Sequence, residues 1–305
     1  MTDTAPAGLR IGTAPDSWGV WFPDDPSQTP WHRFLDEAQR AGYHWIELGP
    51  YGYLPPDPHQ LEDELGKRDL RLSGGTVFTG FHRGPEQWQR AWDQAVKVAV
   101  LTHALGGEHI VVIPDLWRSG ATGETLEART LTDGQWEALA AGHDRLGRAL
   151  LEEYGVRQQF HSHADSHVGT RREVLRLLDQ TDPRYLALCL DIGHYAYYGG
   201  DSVALIRERP ERIGYLHLKQ IDPERRFEAL KNDVPFGDAA GDVMVEPPAG
   251  IPDFAPIIEA VAALDSEIFA IVEQDMPGVD IELPEGIATR THQHILGCSP
   301  LTRTR

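Results

Sequence analysis

YLALCLD, residues 185–191, is an unbroken apolar run that ends on an aspartate and passes directly into IGH, residues 192–194. An apolar run of this length with no alternation is what a parallel strand looks like when both faces are covered. A carboxylate at its last position marks the C-terminal end of that strand. Runs of the same kind recur on both sides of it. Upstream lie LRIGTA (9–14), HWIELGP (44–50), LRLSGGTVF (70–78), HIVVIPD (109–115) and VRQQFHSH (156–163). Downstream lie IGYLHLKQ (213–220) and EIFAIVEQD (267–275). Most are separated by segments of helical period, such as PWHRFLDEAQRAGY (30–43), where Trp31, Phe34, Leu35 and Ala38 form one stripe. Thr170 followed three residues later by Glu173 reads as a capping box opening a helix over 172–181. Eight strand-like runs alternating with helices predict a closed (β/α)₈ barrel. The 305 residues suit one such domain. No linker or low-complexity tract divides residues 1–305, and the longest interruption, 221–250, reads as an elaborated loop.

Composition narrows the partners. With 28 Lys and Arg against 47 Asp and Glu, the formal net charge is −19. Such a surface repels phosphate backbones and anionic lipid, so neither nucleic acid nor membrane is expected as a partner. A nuclease on the same barrel is disfavoured for that reason. Two cysteines, Cys189 and Cys298, make neither a zinc motif nor a disulfide framework. MTDTAPAGLR shows no secretory pattern and no run is apolar enough to span a bilayer, so a cytoplasmic protein is expected.

Barrel enzymes carry their chemistry at the C-terminal ends of the strands. Those ends bear Trp18, Glu47, Asp115, His161, His163, Asp191, His194, His217, Lys219, Glu273 and Asp275. Carboxylates inside apolar runs are expensive to bury unless paired or bound to a cation, and imidazoles converge with them on one rim. A shared divalent ion is therefore expected, drawn from Mn²⁺, Mg²⁺, Co²⁺, Zn²⁺ and Fe²⁺. His167, beyond the fifth run, reads as a surface residue. Lys219 lies two residues after His217 and so shares its face of the strand. That placement suits an acid beside a carboxylate-rich site, with His163 and His194 as alternatives.

The order GTAPDSWG (12–19), LDIGH (190–194), HLK (217–219) and VEQD (272–275) resembles the sugar isomerase/epimerase superfamily of xylose isomerase-like barrels, and within it the inosose dehydratase branch. The resemblance implies one divalent metal, Mn²⁺ first, held by Asp191, His217 and Glu273. His161 stands where the superfamily usually has an acidic residue and is taken as the fourth ligand, with His163 its competitor. Glu273 would serve also as a base. Trp18 and Tyr51 offer aromatic faces and Glu47 a carboxylate for substrate hydroxyls; for the aromatic residues, rim packing is the alternative. Gly169 departs from the branch, which tends to carry Glu or Gln there. PPAGIPDF (247–254) is similar to a loop that approaches the substrate. The implied activity is isomerisation or epimerisation of a sugar or cyclitol through an enediolate. The alternatives are a lyase, dehydrating an inosose or cleaving a 3-oxo-glycoside, and an inactive sugar-binding protein. A homodimer or homotetramer is expected from the same likeness, and a small β-rich partner subunit is known among relatives.

Overall fold

In a computed structural model, which describes residues 9–264 and 266–298, the chain closes into a barrel. Its strands, numbered along the chain, are β1 (Leu9–Thr13), β2 (Trp45–Glu47), β3 (Arg71–Thr79), β4 (His109–Pro114), β5 (Arg157–His161), β6 (Ala187–Asp191) and β7 (Ile213–Leu218). A two-stranded hairpin of β8 (Gln220–Ile221) and β9 (Met244–Val245) stands outside the barrel, and β10 (Ile268–Val272) completes it. All eight barrel pairings are parallel, in the order β1-β10-β7-β6-β5-β4-β3-β2. The (β/α)₈ expectation is met, and each strand lies within about two residues of its expected start.

The helices are α1 (Trp31–Arg40), α2 (Pro58–Gly66), α3 (Gln87–Ala104), α4 (Asp133–Tyr154), α5 (Arg171–Gln180), α6 (Ile192–Tyr197), α7 (Ser202–Glu208), α8 (Pro223–Lys231), α9 (Phe236–Val243), α10 (Phe254–Ala262) and α11 (Pro284–Gly297). None of the described helices is long and apolar enough to cross a membrane. The capping box at Thr170 forms as expected: Thr170 Oγ1 accepts from Glu173 N, and Glu173 accepts from the Thr170 amide. The segment 221–250 is not an irregular loop. Asp222 caps α8 with its carboxylate, α9 follows, and the β8–β9 pairing closes the excursion.

Strand periodicity sorts the side chains. On β5, β6, β7 and β10 the even positions Phe160, Leu188, Leu190, Leu216, Leu218, Ala270 and Val272 join the core between sheet and helices. Odd positions Cys189, Tyr215, Phe269 and Ile271 form a separate cluster with Val111. This cluster fills the barrel interior, where Tyr215 donates to Ser73 Oγ on β3. Continuing the odd series toward the strand ends leads to His161, Asp191, His217 and, just past β10, Glu273. A period of two, with neighbouring strands in fixed register, thus delivers polar residues from four adjacent strands to one level.

Behind β5 the core holds a buried histidine. The Gln158 amide donates to the carbonyls of His143 and Tyr185, which leaves its oxygen to accept from His143 Nδ1–H. Nε2 of His143 is then a buried nitrogen with no partner. Burial pushes the pKa down to about 4 from 6.5. The unfolded chain therefore binds the proton more tightly than the native one. Stability is full above about pH 6.5 and falls as the pH drops toward 4, by about 3 kcal/mol when fully developed. Replacing His143 with Gln is expected to flatten the acid limb of a melting-temperature profile between those pH values. Parallel limbs in the two proteins would contradict this account.

Candidate metal centre

His161, Asp191, His217 and Glu273 each turn one ligand atom toward a common point, with all four atoms within 4.8 Å of one another. His161 Nε2 lies 3.1 Å from Asp191 Oδ2 and 3.6 Å from Glu273 Oε2. His217 Nδ1 lies 2.6 Å from Glu273 Oε2 and 3.7 Å from Asp191 Oδ2. Ligand atoms that share an ion at about 2.1 Å stand about 3.4 Å apart in a tetrahedron and about 3.0 Å apart in an octahedron. The observed spacings bracket those edges.

Second neighbours fix the ligands. Asp191 is the N-cap of α6: its Oδ1 accepts from His194 N at 2.7 Å, which leaves Oδ2 for the centre. Capping and clustering are divided between the two oxygens. Glu47, buried on β2, receives His217 Nε2–H at 3.1 Å. Nδ1 of His217 then carries a lone pair toward the cluster, buried and without a hydrogen-bond partner. A lone pair facing two carboxylate oxygens calls for a cation between them. Against the effect of burial, Cys189 and the Glu273 and Glu47 carboxylates raise His217 well above its ordinary pKa. That shift expresses the same demand for positive charge. The donor set therefore fits a divalent ion on orphaned atoms as well as on spacing.

Lys219 follows β7 and reaches the same oxygens. Its Nζ lies 3.0 Å from Asp191 Oδ2, 3.1 Å from Glu273 Oε2 and 3.0 Å from Asp275 Oδ2. The stem passes Gly193 so closely that a Cβ there would stand 2.2 Å from Lys219 Cγ. Only glycine leaves the path open. Burial would lower the ammonium pKa, but Asp191, Asp275 and Glu273 raise it well above the ordinary value. Burial would likewise raise Glu273, yet His217 and Lys219 hold it well below the carboxylate range. Glu273 keeps 15% of its side chain exposed while Asp191 and Lys219 keep 1% or less, so the centre opens toward solvent on the β10 side.

His163 lies outside the four-donor group. Its Nδ1 donates to the Ala164 carbonyl, and its ring lies 3.9 Å from that of His194. Burial, then the charge of His161, pushes its pKa down to about 3. His194 Nδ1 accepts from Ala164 N, which leaves Nε2–H to point at Asp275 Oδ2, 3.7 Å away. Phe236 of α9 covers both imidazoles, at 5.6 and 4.8 Å between ring centroids. The excursion after β7 is thus a roof over the imidazole pair. Gln220 ties the 247–254 segment down, accepting from Gly250 N and donating to Pro252 O.

Two sequence expectations change here. Trp18 gives its indole N–H to Glu37 at 2.7 Å and packs edge-on against Phe34, so it is a rim-packing residue joining the β1 loop to α1. Tyr51 is half-buried and packs against the core. Glu47 spends Oε2 on His217 and keeps Oε1 buried without a partner. Gly169 has a local reason: a Cβ would stand 2.6 Å from the Tyr198 ring, which fills the space a longer side chain would need. Asp16, unremarked in the sequence, is half-buried, and both its carboxylate oxygens are shielded from solvent without a partner. Burial first, then the charge of Glu273, raises its pKa well above the ordinary value. The signal in the sequence was its place three residues past the end of β1.

With this geometry in view, a profile of the xylose isomerase-like TIM barrel matches residues 35–294. The chain belongs to that family. Among curated relatives, the inosose dehydratase of Geobacillus kaustophilus is 30% identical over 279 residues, covering 88% of this chain and 87% of its own. That of Lacticaseibacillus casei is 28% identical over 279 residues, covering 88% and 90%. Among solved structures of this xylose isomerase-like barrel, the IOLI protein with a bound zinc atom superposes with a TM-score of 0.71 at 14% identity, covering 94% of this chain and 98% of its own. L-ribulose 3-epimerase gives 0.68 at 18% identity, with 97% and 96% covered. At these identities the two structures speak for the fold.

Asp191→Ala is expected to abolish binding of a divalent ion while leaving the circular dichroism spectrum unchanged. Glu47→Ala should keep the stoichiometry but weaken affinity by about 10–100-fold, the usual cost of losing a histidine's outer partner. Isothermal titration with Mn²⁺ measures both. Wild-type affinity in either variant would contradict the assignment.

Proposed function

We propose that this chain removes a proton beside the carbonyl of a keto-sugar or keto-cyclitol and expels a neighbouring hydroxyl as water. The observation that carries this reading is a buried ammonium, Lys219 Nζ, hydrogen-bonded 3.1 Å from the carboxylate of Glu273. An acid and a base thus meet at one reaction centre. The dehydratase relatives, similar over most of their length, support the same choice.

His161, Asp191, His217 and Glu273 would hold a divalent ion, Mn²⁺ first, with Mg²⁺, Co²⁺, Zn²⁺ and Fe²⁺ as alternatives. When bound, such an ion supplies Lewis-acid polarisation of a carbonyl oxygen. Glu273, the most exposed member of the group, takes the proton from the adjacent carbon. The C–H electron pair becomes a carbon–carbon double bond as the β C–O bond breaks. Lys219 donates a proton to the departing oxygen, and Asp275 orients the ammonium. Asp16, its pKa raised by burial and by the Glu273 charge, presents two unpartnered oxygens to a substrate hydroxyl. The roof of α8 and α9 with Phe236 keeps water from the imidazole pair.

A second reading, isomerisation or epimerisation, shares the first step and differs in returning the proton to carbon. The closeness of Lys219 Nζ to Glu273, 3.1 Å, favours it, because a proton taken from one carbon can be handed back to its neighbour from the same place.

Mass spectrometry of the Mn²⁺-loaded protein with inososes, 3-oxo-glucosides and ketoses separates these outcomes. Loss of one water is expected. Release of an aglycone, or isomerisation at unchanged mass, would replace the dehydration reading, and no turnover at all would favour a sugar-binding protein. Lys219→Met is expected to retain the ion and to lower kcat by about 10²-fold or more with a modest change in KM. Unchanged kcat would remove Lys219 from the mechanism.

A further inference from the structure

A second group of ligand-type side chains shares no residue with the first. His82, Glu127 and His167 bring one donor atom each within 4.8 Å of one another. They come from three successive loops at the C-terminal ends of the strands: the turn Phe81–Arg83 after β3, the segment between β4 and α4, and the segment between β5 and α5. Far from lying on the surface, as its loop position suggested, His167 has 2% of its side chain exposed; His82 has 1%. The two rings meet edge to face with centroids 4.5 Å apart.

The tautomers expose an imbalance. His167 Nδ1 faces the carbonyl of Arg129 at 3.0 Å and must donate to it. In the neutral ring Nε2 then carries a lone pair, and this buried atom has no hydrogen-bond partner. It points at Glu127 Oε1, 3.4 Å away. His82 Nε2 lies 2.9 Å from the same oxygen, while its Nδ1 is buried and unpartnered. If His82 carries its proton on Nδ1, two imidazole lone pairs converge on one anionic oxygen. If it carries the proton on Nε2, His167 still presents a bare lone pair to a carboxylate. Either arrangement is unfavourable in a site this buried unless a cation lies among the three atoms.

We propose that His82, Glu127 and His167 form a second metal site, taking a divalent transition-metal ion of the zinc type. Two imidazoles and one carboxylate form a donor set that such ions accept. The spacings of 2.9 and 3.4 Å match the edges of a coordination polyhedron with bonds of about 2.1 Å. The hydrogen bond from His167 Nδ1 to a backbone carbonyl is the usual outer support for an imidazole bound through Nε2.

Surrounding charges are compatible. Arg83 donates to Glu127 Oε1 through Nε and Nη2, but its Nη1 is spent on Asp115, so one guanidinium is divided between two carboxylates. An ion here would tie together the loops after β3, β4 and β5, beside the imidazoles at the end of β5. Its role is to hold that rim in place.

Elemental analysis of chelator-stripped protein, reloaded with Zn²⁺ and desalted, tests the site. About two ions per chain are expected in the wild type, about one in Asp191→Ala, about one in His167→Gln, and none in the double variant. With Asp191→Ala, Zn²⁺ should also raise the melting temperature, and this response should vanish in the double variant. A His167→Gln protein that binds as much Zn²⁺ as the wild type overturns the proposal, whatever Asp191→Ala does. Should His167→Gln fail to fold by circular dichroism, His82→Gln in the Asp191→Ala background reads the same site. Loss of the remaining ion supports the proposal and retention overturns it.

Discussion

The two oxygens of Asp191 are used in different directions, and the candidate centre depends on that division. Oδ1 accepts the amide of His194 and starts α6 directly from the last residue of β6. Oδ2 faces His161, His217 and Lys219. Because strand becomes helix with no intervening loop, the carboxylate has no freedom to swing away. A fully buried carboxylate is costly unless its neighbours supply positive charge. Two imidazoles, an ammonium and a prospective metal ion answer that need, and they are where they are because the barrel register places them there.

Charge then organises the next layer. Glu47, Asp191, Glu273 and Asp275 crowd one end of the barrel, with Lys219 as the ammonium among them. The ammonium and any metal ion draw on the same two oxygens, Asp191 Oδ2 and Glu273 Oε2. In the proposed reaction acid, base and Lewis acid would therefore share one set of ligands instead of occupying separate sites. Such sharing suits chemistry in which charge appears on a carbonyl oxygen and disappears from a departing hydroxyl. It also explains why the lysine stem needs Gly193, since a Cβ at that position would push the ammonium out of the set.

The roof has its own physical logic. The Asp165 carboxylate accepts the Phe236 amide at the start of α9, and Arg118 binds the Asp233 side chain and carbonyl from the loop after β4. Loops from β4 and β5 thereby grip the excursion that follows β7. Phe236 meets the imidazoles of His163 and His194 only because of this grip. His82, Glu127 and His167 lie among the same loops, so whatever stabilises that trio also steadies the roof's supports.

Much of this was legible in order along the chain. Continuous apolar runs identified the eight barrel strands, and carboxylates or imidazoles at their ends marked which end carries the chemistry. Lys219 could be placed beside His217 because strand periodicity is local, needing only a count of two. The α11 helix and the paired elements of 221–250 escaped notice because their packing stripes are short and mixed with polar residues. Long-range partners were out of reach altogether. Glu47 is 170 residues from His217, and Trp18 turns from a substrate face into a packing residue because Glu37 takes its N–H. His167 looked like a surface residue of a loop and proved buried. The sequence by itself determined the barrel and the polarity of its rim, since both follow from residue type and short-range period. Which rim residue holds another, and which stands bare toward a cation, was decided only by closure of the sheet, which brings strands distant along the chain within hydrogen-bonding reach.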